Sequence, residues 1–197
     1  MTWTFDNQGF FYTRYAPQQD GSENAAKIGT KTQKAVDQKL YYHRLNTPQE
    51  ADVLIYEDPK NPEWLFSTSM SVEGKYLMLA TSKSAADIQL RHYVDLTGVT
   101  LDKKLEFKPI IADWIGGFSF IHNIGTKFFF KTNYNAPMGK VISIDISQPA
   151  KENWKDVIPE AHDVMSTIGC YNNKFLVNYM VNASDTMMVF DMPKESE

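Results

Sequence analysis

The residues able to perform acid–base or nucleophilic chemistry are few and lie far apart in the sequence. There are four histidines and one cysteine. His43 and His92 fall in strand-like segments, His122 and His162 lie near turns, and no serine or cysteine is placed beside any of them as a nucleophile. The Gly-x-Ser-x-Gly turn that carries the nucleophile of α/β-type hydrolases does not occur. The sequence therefore predicts no catalytic residue.

Metal and cofactor chemistry have equally little support. Glu160, His162 and Asp163 form the one dense group of metal-ligating residue types, without cysteine partners or helical histidine spacing, so we expect no metal site. No glycine-rich phosphate loop precedes a helical pattern, so we expect no cofactor. Cys170 has no second cysteine to pair with, which favours a reducing, cytoplasmic compartment, and we interpret it as a small buried apolar residue.

The composition excludes several classes of partner. A net charge of −4 without a Lys/Arg cluster argues against nucleic-acid binding, and no apolar run approaches the ~18 residues of a membrane span. A hydrophobic share of 43% and an aromatic share of 13% indicate a strand-rich protein with a core. The aromatic runs at residues 10–12 and 128–130 resemble stacking platforms for ligands, but their position in central strands favours core packing.

The elements that would position these residues are repeated hairpins. In the stretch 70–81, Gly74 is placed at a tight turn, after which Tyr76, Met78 and Ala80 alternate with Leu77 and Leu79. The same pattern occurs at 3–12, 118–130 and 168–177, roughly every 50 residues, the spacing of propeller blades. We therefore predict an all-β fold, a partial β-propeller of about four four-stranded antiparallel blades.

The predicted blades span residues 1–57, 64–113, 117–160 and 164–192, and the last lacks a fourth strand. Asp95, Asp145 and Asp191 each lie near the end of a third strand, where we expect the carboxylate to accept a hydrogen bond from the following turn. Three blades and most of a fourth are too few to close a normal ring, since complete propellers commonly have about 4–8 blades. This chain is therefore expected to be a piece of a larger ring.

Several passages resemble the propeller of prolyl oligopeptidases, a family of serine peptidases that cleave short peptides after proline. The combination of Pro17-Gln-Gln-Asp-Gly21 with Gln38-Lys-Leu-Tyr-Tyr-His43 is specific. The other matching passages occur in order along nearly the whole chain: Met1-Thr-Trp-Thr-Phe-Asp6, Phe11-Tyr12, Tyr15, Trp64, Gly74-Lys-Tyr76, Tyr93-x-Asp-Leu96, Phe130-Lys-Thr-Asn133, Val141-Ile-Ser-Ile-Asp145, Trp154-Lys155 and Val157-Ile-Pro-Glu160.

The resemblance implies a seven-bladed propeller that covers an α/β-hydrolase domain of the same polypeptide, with the active site between the two. The Ser, Asp and His of the family lie in the hydrolase domain, so this chain is expected to be inactive alone. Its expected partners are that domain and, through it, short proline-containing peptides.

The resemblance also implies three elements of a site. The polar segment that contains Gln18, Gln19, Asp20 and Gly21 matches a flexible loop that gates entry, and we predict a mobile surface loop there. Leu65 falls where the family often has Met and faces the central cavity. Ala85 falls where vertebrate members carry a reactive Cys, so thiol sensitivity should be absent here. For both residues, an ordinary position in the core or the tunnel wall, without direct substrate contact, is the favoured interpretation.

The resulting hypothesis is a non-catalytic propeller segment that gates short peptides to a catalytic domain outside this chain. A stand-alone propeller-type binding or scaffold protein, completed by a second copy, is the alternative.

Overall fold

Antiparallel strands form the fold of this chain in a computed structural model that describes residues 1–15, 36–83 and 87–194. Fifteen strands occur within these ranges, and within each sheet every strand pairs with its neighbour in sequence. In chain order the strands are β1 (Thr2–Trp3), β2 (Gly9–Tyr15), β3 (Gln38–Arg44), β4 (Val53–Tyr56), β5 (Leu65–Met70), β6 (Tyr76–Ser82), β7 (Gln89–Asp95), β8 (Lys108–Ile111), β9 (Phe118–Ile124), β10 (Lys127–Thr132), β11 (Lys140–Asp145), β12 (Lys155–Ile158), β13 (Val164–Tyr171), β14 (Lys174–Val181) and β15 (Ser184–Asp191).

These strands form four meandering sheets: sheet 1 (β1–β4), sheet 2 (β5–β8), sheet 3 (β9–β12) and sheet 4 (β13–β15). Helical structure in the described ranges is limited to two short 3₁₀ turns at Gln49–Ala51 and Lys151–Asn153. The all-β propeller fold predicted from the sequence is confirmed. No helix in the described part of the chain is long and apolar enough to cross a membrane.

The β5–β6 hairpin shows why the sequence folds in this way. Gly74 adopts a φ of +73° and donates its N–H to Ser71 O at 2.9 Å, as the predicted turn requires. A Cβ on Gly74 would lie 2.2 Å from the Cβ of Phe5 in sheet 1, so this turn also allows two sheets to approach closely. The strand that follows, β6, is buried on both faces.

Successive sheets pack face to face through three apolar seams. The seam between sheets 1 and 2 contains Phe11, Leu40, Tyr42, Ile55, Phe66, Leu77 and Leu79. The seam between sheets 2 and 3 contains Tyr76, Met78, Ile110, Ile111, Phe118, Phe128, Phe130, Ile142 and Ile144. The seam between sheets 3 and 4 contains Phe129, Val141, Ile158, Met165, Phe175, Val177, Tyr179 and Met192. Each core therefore belongs to a pair of neighbouring sheets, as in propeller architecture.

Alternation along the second strand of a sheet divides its side chains between two seams. In β10, Phe128 packs against Tyr76 of sheet 2 at a ring distance of 5.1 Å, whereas Phe129 packs against Phe175 of sheet 4 at 5.5 Å. The core interpretation of the 128–130 run is confirmed, since all three rings are fully buried. In the run at 10–12 only Phe11 is fully buried, while Phe10 and Tyr12 lie half-buried on the outer face of sheet 1.

Polar contacts reinforce the seam between sheets 1 and 2. Glu57 accepts from Lys104 and Lys39, each at 2.6 Å, and these hydrogen bonds lower the pKa of its carboxyl group. Leu105 N–H donates to Ile55 O at 3.0 Å. The connection between β7 and β8 is therefore fixed to the edge of sheet 1.

The aspartates at the third-strand ends behave in two ways. Asp95 accepts from the Thr97 N–H and Asp145 from the Ser147 N–H, both at 2.9 Å, as the sequence predicted. Asp191 instead accepts from Lys174 Nζ at 2.5 Å, on the neighbouring strand. In the described residues that follow β15, 192–194, no turn is assigned.

Candidate functional site

One end of the sheets holds Leu65 and the described residues that flank the other two segments predicted to be functional. We call it the Leu65 end: here β3, β5, β7, β9 and β13 begin and β2, β6 and β10 end. Leu65 is partly buried and pairs with Ser82, the last residue of β6. Beside it, the rings of Trp64 and Trp114 meet edge to face at 5.3 Å, with Lys83 Nζ 4.3 Å from the Trp114 ring centre.

The other predicted site residues, Gln18, Gln19, Asp20, Gly21 and Ala85, lie outside the described residues. The strands that flank them end at this same edge, because Tyr15 pairs with Gln38 and Ser82 pairs with Gln89. Gln38 ties the first of these points to sheet 2, since its side-chain oxygen accepts from the Phe66 N–H. The roles assigned to Leu65, Ala85 and the 18–21 segment remain predictions.

A polar cluster joins sheets 2 and 3 at the Leu65 end. Asn133 Oδ1 accepts from the Gly117 N–H at 2.8 Å, and Asn133 Nδ2 lies 3.5 Å from Asp87 Oδ2. Gln89 N–H donates to Gly116 O at 3.1 Å. A Cβ on Gly117 would lie 2.6 Å from the carboxyl atoms of Asp87, so glycine is needed for the carboxylate to pack there.

Two cations lie near this cluster. Lys131 Nζ donates to Ser166 O at 2.6 Å and so links sheet 3 to sheet 4. Arg91 is only 9% exposed, donates to the side-chain oxygen of Gln89, and has an Nε with no partner. Desolvation lowers the pKa of Lys131, and it lowers the pKa of Arg91 to about 10. In both cases the opposing charge comes from Asp87.

A cavity of about 190 Å³ opens beside these groups. Gly117, at the entry to β9, and Ser119 line it together with Asp87 and Val164. Lys131 contributes the cationic part of its wall. The site can thus present one ammonium group and one carboxylate to a small polar ligand.

The outer face of sheet 1 carries a separate polar network. Asp52, whose side chain is 1% exposed, accepts from Tyr12 OH and lies 2.6 Å from His43 Nδ1. Desolvation, followed by the Asp52 hydrogen bond, raises the pKa of Tyr12. His43 is thus a hydrogen-bonded histidine. Among the described residues no hydrogen bond joins a histidine to a serine or cysteine.

Sequence reasoning missed Asp87, Lys131 and Arg91 because they come from separate sheets, and each alone is an ordinary charged residue of a strand or turn. One signal was present: the Gly116-Gly117 pair, whose close packing against Asn133 and Asp87 marks the cluster. Cys170, interpreted as buried, is only partly buried, with Sγ 3.0 Å from Met192 Sδ. His162 and Asp163 are 3.6 Å apart, and in the described ranges no group of three His, Cys, Asp or Glu residues could hold a metal ion.

Comparison with known proteins identifies the architecture. The family model of the prolyl oligopeptidase N-terminal β-propeller domain matches residues 1–197. Prolyl oligopeptidase ophP of Omphalotus olearius is 32% identical over 195 residues, and the dual function macrocyclase-peptidase POPB of Galerina marginata is 31% identical over 192 residues. These matches cover 98% and 96% of the chain but 25% of each relative, so the chain spans about a quarter of their length.

A solved structure agrees with these relatives. Prolyl oligopeptidase B of Galerina marginata, bound to a 35mer hydrolysis and macrocyclization substrate, superimposes with a TM-score of 0.85 at 29% identity. The superposition covers 96% of this chain and 25% of that structure.

Proposed function

The chain belongs to the prolyl oligopeptidase family, within its N-terminal β-propeller domain, and from this membership we propose that it gates the access of short proline-containing peptides to a serine-peptidase domain of the same polypeptide. The match to the propeller model over the whole chain carries the proposal. Support also comes from relatives named as peptidases, of which the chain spans a quarter. The catalytic serine, aspartate and histidine are assigned to an α/β-hydrolase domain outside these 197 residues.

The Leu65 end is the proposed face toward that domain. The first strands of the sheets begin there. The described residues on either side of 16–35 and of 84–86 lie there as well. In this arrangement Leu65 and Ala85 line the peptide path, and the segment with Gln18, Gln19, Asp20 and Gly21 acts as a gate. A gate of this kind would exclude water and large substrates while the peptide is held.

The proposal is tested on the polypeptide encoded by the complete transcript. Leu65→Trp should narrow the path and lower kcat/KM for longer proline-containing peptides about tenfold, the size of effect that a changed pocket wall produces. Labelling of the nucleophile by a small fluorophosphonate should be unchanged. Val72→Trp is the matched control, because Val72 is exposed in the β5–β6 turn at the opposite end of sheet 2.

Two results would contradict the proposal. One is an intact transcript that encodes no hydrolase domain. The other is a Leu65→Trp protein whose kcat/KM is unchanged for peptides of every length. A defined dimer of the 197-residue chain by light scattering, together with a transcript that ends where this chain ends, would instead favour the scaffold alternative.

A further inference from the structure

At the Leu65 end, the cations Lys131 and Arg91 lie within the electrostatic reach of the same carboxylate, among the residues that the structure describes. Arg91 is almost fully buried and Lys131 is partly buried, and neither has a carboxylate within ion-pair distance among the described residues. Asp87 is the carboxylate that acts on both of them from a distance. Two cations therefore share one carboxylate.

Such an arrangement has an energetic cost in the folded protein. Removing an ammonium or guanidinium group from water is unfavourable unless charge and hydrogen bonds replace the lost hydration. The Ser166 carbonyl replaces part of it for Lys131, and Gln89 replaces part of it for Arg91, whose Nε remains without a partner. A cation in a cleft whose pKa is perturbed by desolvation and by a specific charge is a candidate for a ligand site.

The surroundings hold the charges in place. The Asp87 carboxylate packs on Gly117 and faces Asn133, so it is positioned away from direct contact with Lys131. Lys131 is fixed by its 2.6 Å bond to sheet 4 and lines the cavity of about 190 Å³. A cavity of that volume is large enough to admit several water molecules and therefore a carboxylate group.

We propose that this cavity is a subsite for a carboxylate of the peptide substrate, bound by the ammonium group of Lys131 under the additional positive field of Arg91. The proposal rests on the proposed function, since it assumes that peptides pass the Leu65 end. A short peptide offers such a group at its C-terminus, and an Asp or Glu side chain offers the same chemistry. Asp87, which also lines the cavity, would repel a carboxylate placed beside it and so orient the ligand toward Lys131.

The test uses the full-length polypeptide and non-cleavable analogues of a short proline-containing peptide, measured as competitive inhibitors. The C-terminal acid should bind about tenfold more tightly than its carboxamide, as expected for one charge-assisted hydrogen bond. Lys131→Gln should reduce this preference to about unity and raise KM rather than lower kcat, because the subsite lies away from the reacting atoms. The preference should also weaken with added salt.

Lys127→Gln is the matched control, since Lys127 lies on the same strand, β10, at its opposite end. It should leave the preference intact. A second pair of peptides, amidated at the C-terminus and carrying internal Glu or Gln, identifies which carboxylate binds. The proposal is supported if, in either pair, the peptide with the carboxylate binds more tightly than its partner and this difference is lost in Lys131→Gln.

Equal affinity of acid and amide in the wild-type protein would overturn the proposal, as would a preference that persists in Lys131→Gln. Inhibition by inorganic phosphate through Lys131, without discrimination between the peptides, would also overturn it. A Lys131→Gln protein that is less stable but keeps the preference would show that Lys131 only links sheets 3 and 4. If neither the substrate is cleaved nor any peptide binds, the proposed function itself fails.

Discussion

At the scale of single residues, the close approach of neighbouring sheets depends on glycines, which have no side chain. Gly117 brings its backbone against the Asp87 carboxylate, and any Cβ there would meet all three carboxyl atoms at 2.6 Å. Gly117→Ala is therefore expected to lower the free energy of unfolding by no more than about 1 kcal/mol, the low end of the cost of overpacking, because the exposed Asp87 carboxylate can turn away. Urea unfolding followed by tryptophan fluorescence would measure it.

Gly169→Ala is the control for this change, because a Cβ on Gly169 in β13 meets nothing within 4 Å. That variant should be neutral, or stabilised by up to about 1 kcal/mol through the loss of freedom in the unfolded chain. Equal stability of both variants would contradict the contact between Asp87 and Gly117.

His92 makes stability depend on pH. Desolvation lowers its pKa below the ordinary value of 6.5, and its Nδ1 is buried without a partner. The unfolded chain therefore takes up the proton first, so stability is complete above about pH 6.5 and falls as the pH decreases toward the folded-state pKa. One such group accounts for at most about 1.4 kcal/mol per pH unit.

Replacing His92 by Leu should flatten part of this acid loss when unfolding is compared at about pH 7.5 and about pH 5.5. His162→Leu is the control, since the His162 side chain is fully exposed, and it should leave the slope unchanged. Some acid sensitivity should persist in the His92 variant, because desolvation lowers the pKa of His122 as well. A slope identical to wild type would contradict the role of His92.

Sequence reasoning at this scale succeeded where the interaction is local. The turn at Gly74 and the hydrogen bonds of Asp95 and Asp145 involve residues at most a few positions apart. It failed for Asp191, whose partner Lys174 is on another strand, and it found neither the Asp52 network nor Lys131. These contacts depend on strand register and on which sheets are adjacent. Neither can be predicted from a short stretch of sequence.

At the scale of elements, strand β10 separates two cores. Phe128 and Phe129 are equally buried but face sheet 2 and sheet 4, respectively. Each Phe→Ala change should cost about 3–5 kcal/mol. Because the seams are separate, amide exchange should increase mainly in β13–β15 for Phe129→Ala and mainly in β6–β8 for Phe128→Ala.

Hydrogen exchange with mass spectrometry would distinguish the two patterns. The same peptides losing protection in both variants would mean that the seams do not open separately. The strands themselves were predictable, since alternating apolar residues and turn glycines mark them in order. The neighbour that each face meets was not, because alternation defines two faces without saying what lies against either.

At the scale of the whole molecule, the two terminal sheets expose faces resembling those that the inner sheets bury. Trp3 of sheet 1 is 48% exposed, and in sheet 4 Tyr171, Met187 and Val189 are 75%, 63% and 56% exposed. Surfaces of this kind promote association. The double variant Met187→Lys, Val189→Lys should therefore reduce self-association of the 197-residue chain in sedimentation velocity without lowering its thermal stability.

Ser184→Lys, at the exposed start of β15, is the matched control and should not change association. A double variant that sediments like wild type would show that this face does not drive contact between molecules. In the full-length polypeptide the same double variant should instead lower stability, if a further sheet covers the face.

The alternation in β10 also bears on how such proteins can change over evolution. Inserting or deleting one residue within the strand would exchange its two faces beyond that point. Side chains that pack against sheet 2 would then face sheet 4, and the reverse. Length differences among homologous genes should therefore be confined to the connections, at the ends of the strands, where function can diversify while the ring is preserved.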